Sequence, residues 1–318
     1  MIMNSFTFKG EEDLEIHVYK YEPEVKENIK GIIQISHGMS EEANRYKEFA
    51  EFLNNNGYIV YINDHRGHGK STKTISNIGK LAKKDGLNCI VKDLYTLTNI
   101  IKEENDNLPI FLFSHSMGSF AAQKYIMNHG SEIDGVILSG TNGIHGIEVD
   151  LGLFVAKILT KVKGRDETAH FIDKLAFGGF NKKFKPNRTE FDWLSRDDKE
   201  VDKYINNEQC GVIFSNGYFY DLFNLFKDIR NKNNINKINK QLPVYIFAGD
   251  EDPVGKFGKG IVKLYENYKK AGIKDCTFKL YKGGRHEMLN EINKDEVLKD
   301  ILKWIDDRVK LNVNRYAK

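Results

Sequence analysis

The stretch Phe111-Leu112-Phe113-Ser114-His115-Ser116-Met117-Gly118-Ser119-Phe120-Ala121-Ala122 joins an apolar run to a helix-forming run through a serine. A tight turn from strand to helix at this point would push the Ser116 hydroxyl out of the end of a sheet. The same turn would aim the backbone N–H of Met117 at the space beside that hydroxyl. The stretch therefore predicts an α/β architecture in which Ser116 is a candidate nucleophile and the Met117 N–H a candidate oxyanion donor.

The usual form of such a turn is G-x-S-x-G, and this chain departs from it at one position. Ser114 stands where the first glycine is expected, whereas Gly118 keeps the last one. Small residues are needed there because helix and strand crowd together. Serine is also compact, so the departure weakens the motif without cancelling it.

Short β-branched runs alternate with helical patterns on both sides of this stretch. This alternation predicts a mostly parallel central sheet flanked by helices. The predicted strands are residues 31–36, 58–63, the apolar run that starts at 111, 135–140, 243–248 and 276–281, and the predicted helices are 46–54, 89–102, the helix that follows Ser116, 258–270 and 295–310.

The alternation stops for about a hundred residues in the middle of the chain. Amphipathic and irregular segments such as 151–159 and 215–223 replace it. We therefore predict three segments: a first part of the core at 1–142, an inserted helical cap at 143–240 and a second part of the core at 241–318.

Composition limits the class of protein. The chain has 318 residues, of which 40% are hydrophobic and 29% charged, as is typical of globular proteins. The net charge of +3 argues against a nucleic-acid partner. Three widely spaced cysteines predict neither a disulfide framework nor a zinc cluster, and residues 1–8 do not have the pattern of a signal peptide. We expect a cytoplasmic protein.

A serine hydroxyl needs a base within hydrogen-bond reach, and a carboxylate that fixes the tautomer of this base. His286 follows the last predicted strand, in a turn that contains two glycines. Asp250, Glu251 and Asp252 follow the strand before it. We favour Asp252 as the acid because Pro253 fixes the backbone just beyond it, while Asp250 could cap the turn.

A second oxyanion donor is expected from the loop after an earlier strand. The segment 36–39 occupies this place, where Gly38 allows close approach of the backbone and the N–H of Met39 would complete the oxyanion hole.

The residues quoted so far resemble the α/β-hydrolase fold, and within it the serine hydrolases similar to monoglyceride lipases and lysophospholipases. The resemblance implies Ser116 as nucleophile, Asp252 as acid, His286 as base, and the N–H groups of Met39 and Met117 as oxyanion donors. The segments that carry it are 37–39, 64–71, 115–118, 249–254 and 285–287 in the core and 191–197 in the cap.

Two other motifs suggest sites that we do not favour. Gly69-Lys70-Ser71 is similar to the end of a phosphate-binding loop, but Asp64 stands where that motif needs its first glycine. His65 and His68 have the spacing of a metal pair without further ligands nearby, so we expect them to brace the turn instead.

Together with this resemblance, the residues predict a cofactor-independent serine hydrolase that cleaves carboxylic esters. The resemblance implies lipid-like monoesters such as monoacylglycerols or lysophospholipids as the leading substrate class. Two alternatives remain: an aminopeptidase or amidase that uses Glu148 and Asp150 to bind a substrate ammonium group, and a non-catalytic binding module. The helix at 151–162 is expected to pack within the cap or to contact a membrane surface. The oligomeric state is left open. For substrate binding we expect Gly38 and, as the acyl-chain pocket, Leu153, Phe154, Tyr218 and Phe219.

Overall fold

The computed structural model describes residues 1–25, 28–72, 74–144 and 146–316. Within these residues one eight-stranded sheet has the order β1-β2-β4-β3-β5-β6-β7-β8. The strands from β3 onward pair in parallel, whereas β2 pairs antiparallel with both β1 and β4. The strands are β1 Ile2–Lys9, β2 Glu15–Glu22, β3 Gly31–Ser36, β4 Tyr58–Asn63, β5 Ile110–His115, β6 Gly135–Ser139, β7 Val244–Gly249 and β8 Cys276–Tyr281.

Helices cover both faces of the sheet and fill the interval between β6 and β7. Their apolar faces form two large clusters of buried side chains, one on each side of the sheet. The helices are α1 Lys47–Asn55, α2 Gly86–Glu104, α3 Met117–His129, α4 Ile147–Val162, α5 His170–Phe177, α6 Asp198–Ile205, α7 Asn216–Ile229, α8 Lys232–Ile235, α9 Lys259–Lys270 and α10 Lys294–Tyr316.

The predicted α/β-hydrolase architecture is confirmed, with one addition at the N-terminal end. The central strands β3 to β7 are buried along their whole length, which explains why their β-branched runs could be recognised from sequence. The hairpin of β1 and β2 was not predicted. Most of β1 is exposed, because it lies at the edge of the sheet.

Helices α4 to α8 all lie between β6 and β7, within the segment 143–240. Two of them, α4 and α7, pack against each other, and α7 also contacts α2 and α3 of the core. The segment also reaches the loop after β8, since the backbone N–H groups of His286 and Glu287 donate to the carbonyls of Trp193 and Leu194. In the described part of the chain, no helix combines the length and the apolar character that crossing a bilayer would require.

Candidate active site

The turn that carries Ser116 has the geometry of a nucleophile elbow. β5 ends at His115 and α3 begins at Met117, so Ser116 alone makes the turn, with φ 51° and ψ −120°. A Cβ at Gly118 would lie 2.3 Å from the carbonyl oxygen of Ser36, which explains the glycine there. Ser114 is fully buried, and its hydroxyl donates to the Ile137 carbonyl at 2.8 Å. The departure from G-x-S-x-G therefore leaves no unsatisfied hydroxyl.

Three side chains from three loops form one hydrogen-bonded chain. The Ser116 hydroxyl lies 2.9 Å from Nε2 of His286. Nδ1 of the same ring lies 3.0 Å from Oδ1 of Asp252. Because the carboxylate accepts the Nδ1 proton, Nε2 is left free to accept the proton of the serine hydroxyl. Asp252 and His286 are buried, while Ser116 is partly accessible.

The other two acidic candidates have different partners. Asp250 accepts the backbone N–H of Gly283 at 2.7 Å and so caps the turn after β8. Glu251 forms an ion pair with Lys183. Of the three carboxylates that follow β7, only Asp252 contacts His286 within the described residues.

The surroundings of His286 favour its protonated form. Burial alone would lower the pKa of this imidazole, but the Asp252 carboxylate, together with Glu287 and Glu41, outweighs burial and raises the pKa above its ordinary value. The neighbouring His115 ring lies 4.7 Å away, centroid to centroid. Burial, followed by His286, lowers the pKa of His115 to about 4, so this second ring is neutral near pH 7.

The loop after β3 reaches Ser116 as the sequence predicted. A Cβ at Gly38 would lie 3.2 Å from Cβ of Ser116. The Gly38 N–H donates to Glu41, so it is not free to face an oxyanion, and the N–H groups of Met39 and Met117 stay the candidate donors. Both methionines line the cavity above Ser116. The loop is also fixed from the cap, since Ser40 Oγ donates to the Val212 carbonyl at 3.0 Å.

Above Ser116 lies a cavity of about 1080 Å³ between core and cap. Its apolar lining comes chiefly from the cap, and the predicted residues Tyr218 and Phe219 belong to it. Further apolar residues of this lining are Val149, Leu151, Ile172, Phe177, Leu222, Phe223 and Phe226.

The predicted place of two residues in the acyl-chain pocket was wrong. Leu153 and Phe154 do not line the cavity, and Phe154 is 61% exposed. α4 turns Val149 and Gly152 toward the cavity, and successive helical residues are rotated by about 100° around the axis. Phe154, two residues after Gly152, therefore points to the opposite side of the helix.

The acidic pair expected of an aminopeptidase site is neutralised by two cations. Glu148 is 2.6 Å from Nζ of Lys256, and Asp150 is 2.6 Å from the guanidinium of Arg230. Neither carboxylate is thus available alone to a substrate ammonium group.

Sequence analysis missed a buried ionic cluster beside the three catalytic candidates. Arg45 lies between the carboxylates of Glu41 and Glu287. The spacing of Glu41 and Arg45, four residues apart, and the glutamate that directly follows His286 were the available signals. Trp193 was also missed as a neighbour of the site, where its ring lies 5.1 Å from that of His286.

The fold, the elbow and the hydrogen-bonded Ser-His-Asp chain together define an α/β-hydrolase-fold serine hydrolase. Residues 27–293 match the model of the family described as "Serine aminopeptidase, S33". The match covers most of the chain, and the chain belongs to this family.

Curated relatives and a solved structure resemble nearly the whole chain. The monoacylglycerol lipase of Mycolicibacterium smegmatis is 28% identical, with 87% of this chain and 88% of the relative covered. The monoglyceride lipase of Rattus norvegicus is 25% identical, with 88% and 84% covered. A highly thermostable carboxyl esterase from Bacillus coagulans, solved in complex with glycerol, has a TM-score of 0.89 at 29% identity, with 97% and 99% covered. The predicted resemblance to monoglyceride lipase-like hydrolases is confirmed.

Proposed function

We propose that this chain hydrolyses lipid-like carboxylic monoesters, with monoacylglycerols as the leading substrate class and lysophospholipids as the second. The observation that carries the proposal is the Ser116–His286–Asp252 chain at the floor of a largely apolar cavity of about 1080 Å³. The monoacylglycerol and monoglyceride lipases among its relatives support the same class.

The mechanism has two half-reactions. His286 takes the proton of Ser116 as the hydroxyl oxygen attacks the ester carbonyl, while the N–H groups of Met39 and Met117 stabilise the oxyanion. The imidazolium then protonates the leaving alcohol, and an acyl-enzyme remains. Water, deprotonated by the same imidazole, attacks the acyl-enzyme and releases the carboxylic acid and the free serine.

The alternative of aminopeptidase or amidase activity keeps this triad and changes the substrate group that the cap recognises. The family description makes it the natural competitor. The pairing of Glu148 with Lys256 and of Asp150 with Arg230 speaks against it, because no unpaired acidic pair is left there for an ammonium group. A non-catalytic binding module would not need the hydrogen bonds that align Ser116, His286 and Asp252.

Initial rates on four substrates test the proposal: a monoacylglycerol, a lysophospholipid, a short-chain aryl ester and an aminoacyl aryl amide, each with Ser116→Ala as the blank. We expect Ser116-dependent turnover of the esters, with the long-chain glycerol ester preferred. Turnover of the amide alone would assign the chain to peptidases. Absence of Ser116-dependent turnover with all four would contradict the proposal.

We also propose that the cap contacts the surface of a lipid aggregate through an apolar face, which we call the cap apolar face. Part of this face borders the active-site cavity, since Leu151 and Leu175 also line it. Lys157, Lys161 and Lys163 are exposed around it, which favours a surface of anionic headgroups. The exposed apolar side chains of the face are Ile147, Leu151, Phe154, Ile158 and Val162 of α4 and Phe171 and Leu175 of α5. The expected cytoplasmic location stays a prediction.

A further inference from the structure

The ionic cluster of Glu41, Arg45 and Glu287, which we call the Arg45 cluster, connects two loops that are far apart in sequence. Arg45 donates from Nη1 and Nη2 to the two carboxylate oxygens of Glu287, at 2.8 and 2.7 Å. Its Nη1 also donates to Oε2 of Glu41 at 2.7 Å. The side chains of Glu41, Arg45 and Glu287 are only 4%, 12% and 7% exposed, so solvent screens them weakly.

Each end of the cluster reaches a loop of the active site. Glu41 accepts the N–H of Gly38 and, at 3.0 Å, the hydroxyl of Tyr46. Glu287 directly follows His286, and its own backbone N–H donates to the Leu194 carbonyl of the cap at 2.8 Å. The loop that carries the Met39 N–H and the loop that carries the imidazole are thereby held at a fixed separation.

Arg45 itself does not line the cavity above Ser116. It lines a second cavity, of about 370 Å³, on the other side of His115. Arg45 therefore contacts the active site only through Glu41 and Glu287 among the described residues of its cluster, and these two carboxylates border both cavities.

The cluster carries a net charge of −1, because two carboxylates surround one guanidinium. Burial would raise the pKa of the Glu287 carboxyl, but Arg45 outweighs burial and holds it below its ordinary value, so Glu287 stays ionised. The charged and titratable groups that face His286 are therefore Asp252 on one side, the Arg45 cluster on another, and His115, which is neutral near pH 7.

We propose that Glu41, Arg45 and Glu287 are positioning residues of this active site. They set the separation between the loop that carries Met39 and the loop that carries His286. Their net negative charge stabilises the imidazolium of His286 that forms during acyl transfer. This inference rests on the proposed function only for its catalytic consequence. The electrostatic effect on His286 exists whether or not the substrate is an ester.

The test replaces one buried carboxylate by the corresponding amide, in the two independent variants Glu287→Gln and Glu41→Gln. Either change leaves the cluster neutral. Opposite charges a few ångströms from an imidazolium shift its pKa by about one unit, so we expect the pKa of His286 to fall by roughly half a unit to one unit. An imidazole NMR titration, assigned by the signal lost in His286→Asn, measures this shift without substrate.

The kinetic consequence is measured in the same variants. We expect the acidic limb of the kcat/KM profile to move to lower pH by the same amount, and kcat to fall by about threefold to tenfold with KM nearly unchanged. Glu296→Gln is the matched control, since that carboxylate is exposed and pairs with Lys279. This control should coincide with the parent chain in both measurements.

Two outcomes separate this inference from the proposed function. A fall in the pKa of His286 in a chain that hydrolyses none of the esters would support the electrostatic role and overturn the function. Ester turnover that drops at every pH, with the NMR pKa of His286 and the acidic limb unmoved in both variants, would overturn the inference and leave the function intact.

Discussion

At the scale of single residues, the two aspartates after β7 offer a matched pair. Asp252 accepts the Nδ1 proton of His286, whereas Asp250 accepts only the backbone N–H of Gly283 in this turn. In Asp252→Asn the new amide can donate to Nδ1, which stabilises the tautomer with its proton on Nε2. That tautomer cannot accept the proton of Ser116. We therefore expect kcat to fall by about 10⁴-fold in this variant.

Asp250→Asn serves as the control for this prediction, because the asparagine oxygen can still accept the Gly283 N–H. We expect its kcat to stay within about threefold of the parent value. Urea unfolding of both variants separates loss of structure from loss of chemistry. Equal losses of kcat in the two variants would mean that Asp252 does not orient the base.

At the scale of elements, much of this fold was predictable from sequence because its central strands are buried on both faces. β3 and β4 have the predicted bounds, 31–36 and 58–63. The three catalytic candidates were predictable for a related reason: parallel strands bring their carboxyl ends to one edge, and Ser116, Asp252 and His286 each follow such an end.

Other features depend on packing that has no local signature. β1 has few buried side chains and escaped recognition. The prediction of which α4 residues face the cavity was wrong. Apolar residues surround much of this helix, so the sequence alone did not reveal which face meets α7. Arg45 and Glu287 lie 242 residues apart, and the local signals near each residue do not predict that the two side chains pair.

Because Phe154 lies on the exposed face of α4, a substitution there should affect contact with lipid surfaces and not the cavity. We predict that Ile147→Asp combined with Phe154→Asp weakens binding to vesicles that contain anionic lipid by at least about tenfold, because two apolar side chains can no longer enter the bilayer interface. Turnover of monoacylglycerol presented in those vesicles should fall in parallel. Turnover of a water-soluble short-chain ester should not change, since neither residue lines the cavity.

Ile75→Asp is the control for this measurement. Ile75 is also exposed, at 56%, but it lies in the segment 1–142 and outside the cap apolar face. Vesicle co-sedimentation reports binding. If the double variant binds as the parent does, the face is not a lipid contact. Equal binding to vesicles with and without anionic lipid would assign the contact to apolar insertion without help from the lysines.

At the scale of the whole molecule, buried imidazoles join the loop after β3, which carries Met39, to the loop after β4. His37 accepts the N–H of His65 at Nε2 and donates from Nδ1 to the Gly38 carbonyl. His65 contacts the Ser36 hydroxyl at 3.0 Å. His68 donates from Nδ1 to the Arg66 carbonyl. These histidines therefore brace the turn, as the sequence suggested, and the acceptor role of His37 Nε2 requires a neutral ring.

Burial lowers the pKa of His37 to about 4, and lowers those of His65 and His68 well below the ordinary value. His115, also with a pKa of about 4, belongs to the same class. In the unfolded chain these rings take up protons near pH 6.5. In the folded chain each ring stays neutral until the pH falls to its own lower pKa. Stability is therefore lost as pH falls from about 6.5 toward 4, by about 3 kcal/mol for a ring with a folded pKa near 4.

Several groups act in the opposite direction. Burial raises the pKa of Asp64 to about 6, so the folded chain takes up a proton there before the unfolded chain does, and this gain offsets about one such histidine. His286, with its raised pKa, also favours the folded chain as pH falls. Burial also raises the pKa values of Asp93, Asp173 and Asp221, which act in the same direction as Asp64. Because four fully buried histidines oppose these groups, we predict that the free energy of unfolding falls by about 3 kcal/mol between pH 7 and pH 4.

Urea unfolding across this pH range measures the fall, and His68→Asn tests its origin. Asparagine can still donate to the Arg66 carbonyl but has no imidazole to protonate. The variant should be less stable at pH 7, because it leaves a cavity, yet should lose less stability on acidification than the parent chain. His170→Asn, at an exposed position, should follow the parent curve. A His68 variant that keeps the full parental pH dependence would mean that His68 does not contribute to the acid sensitivity.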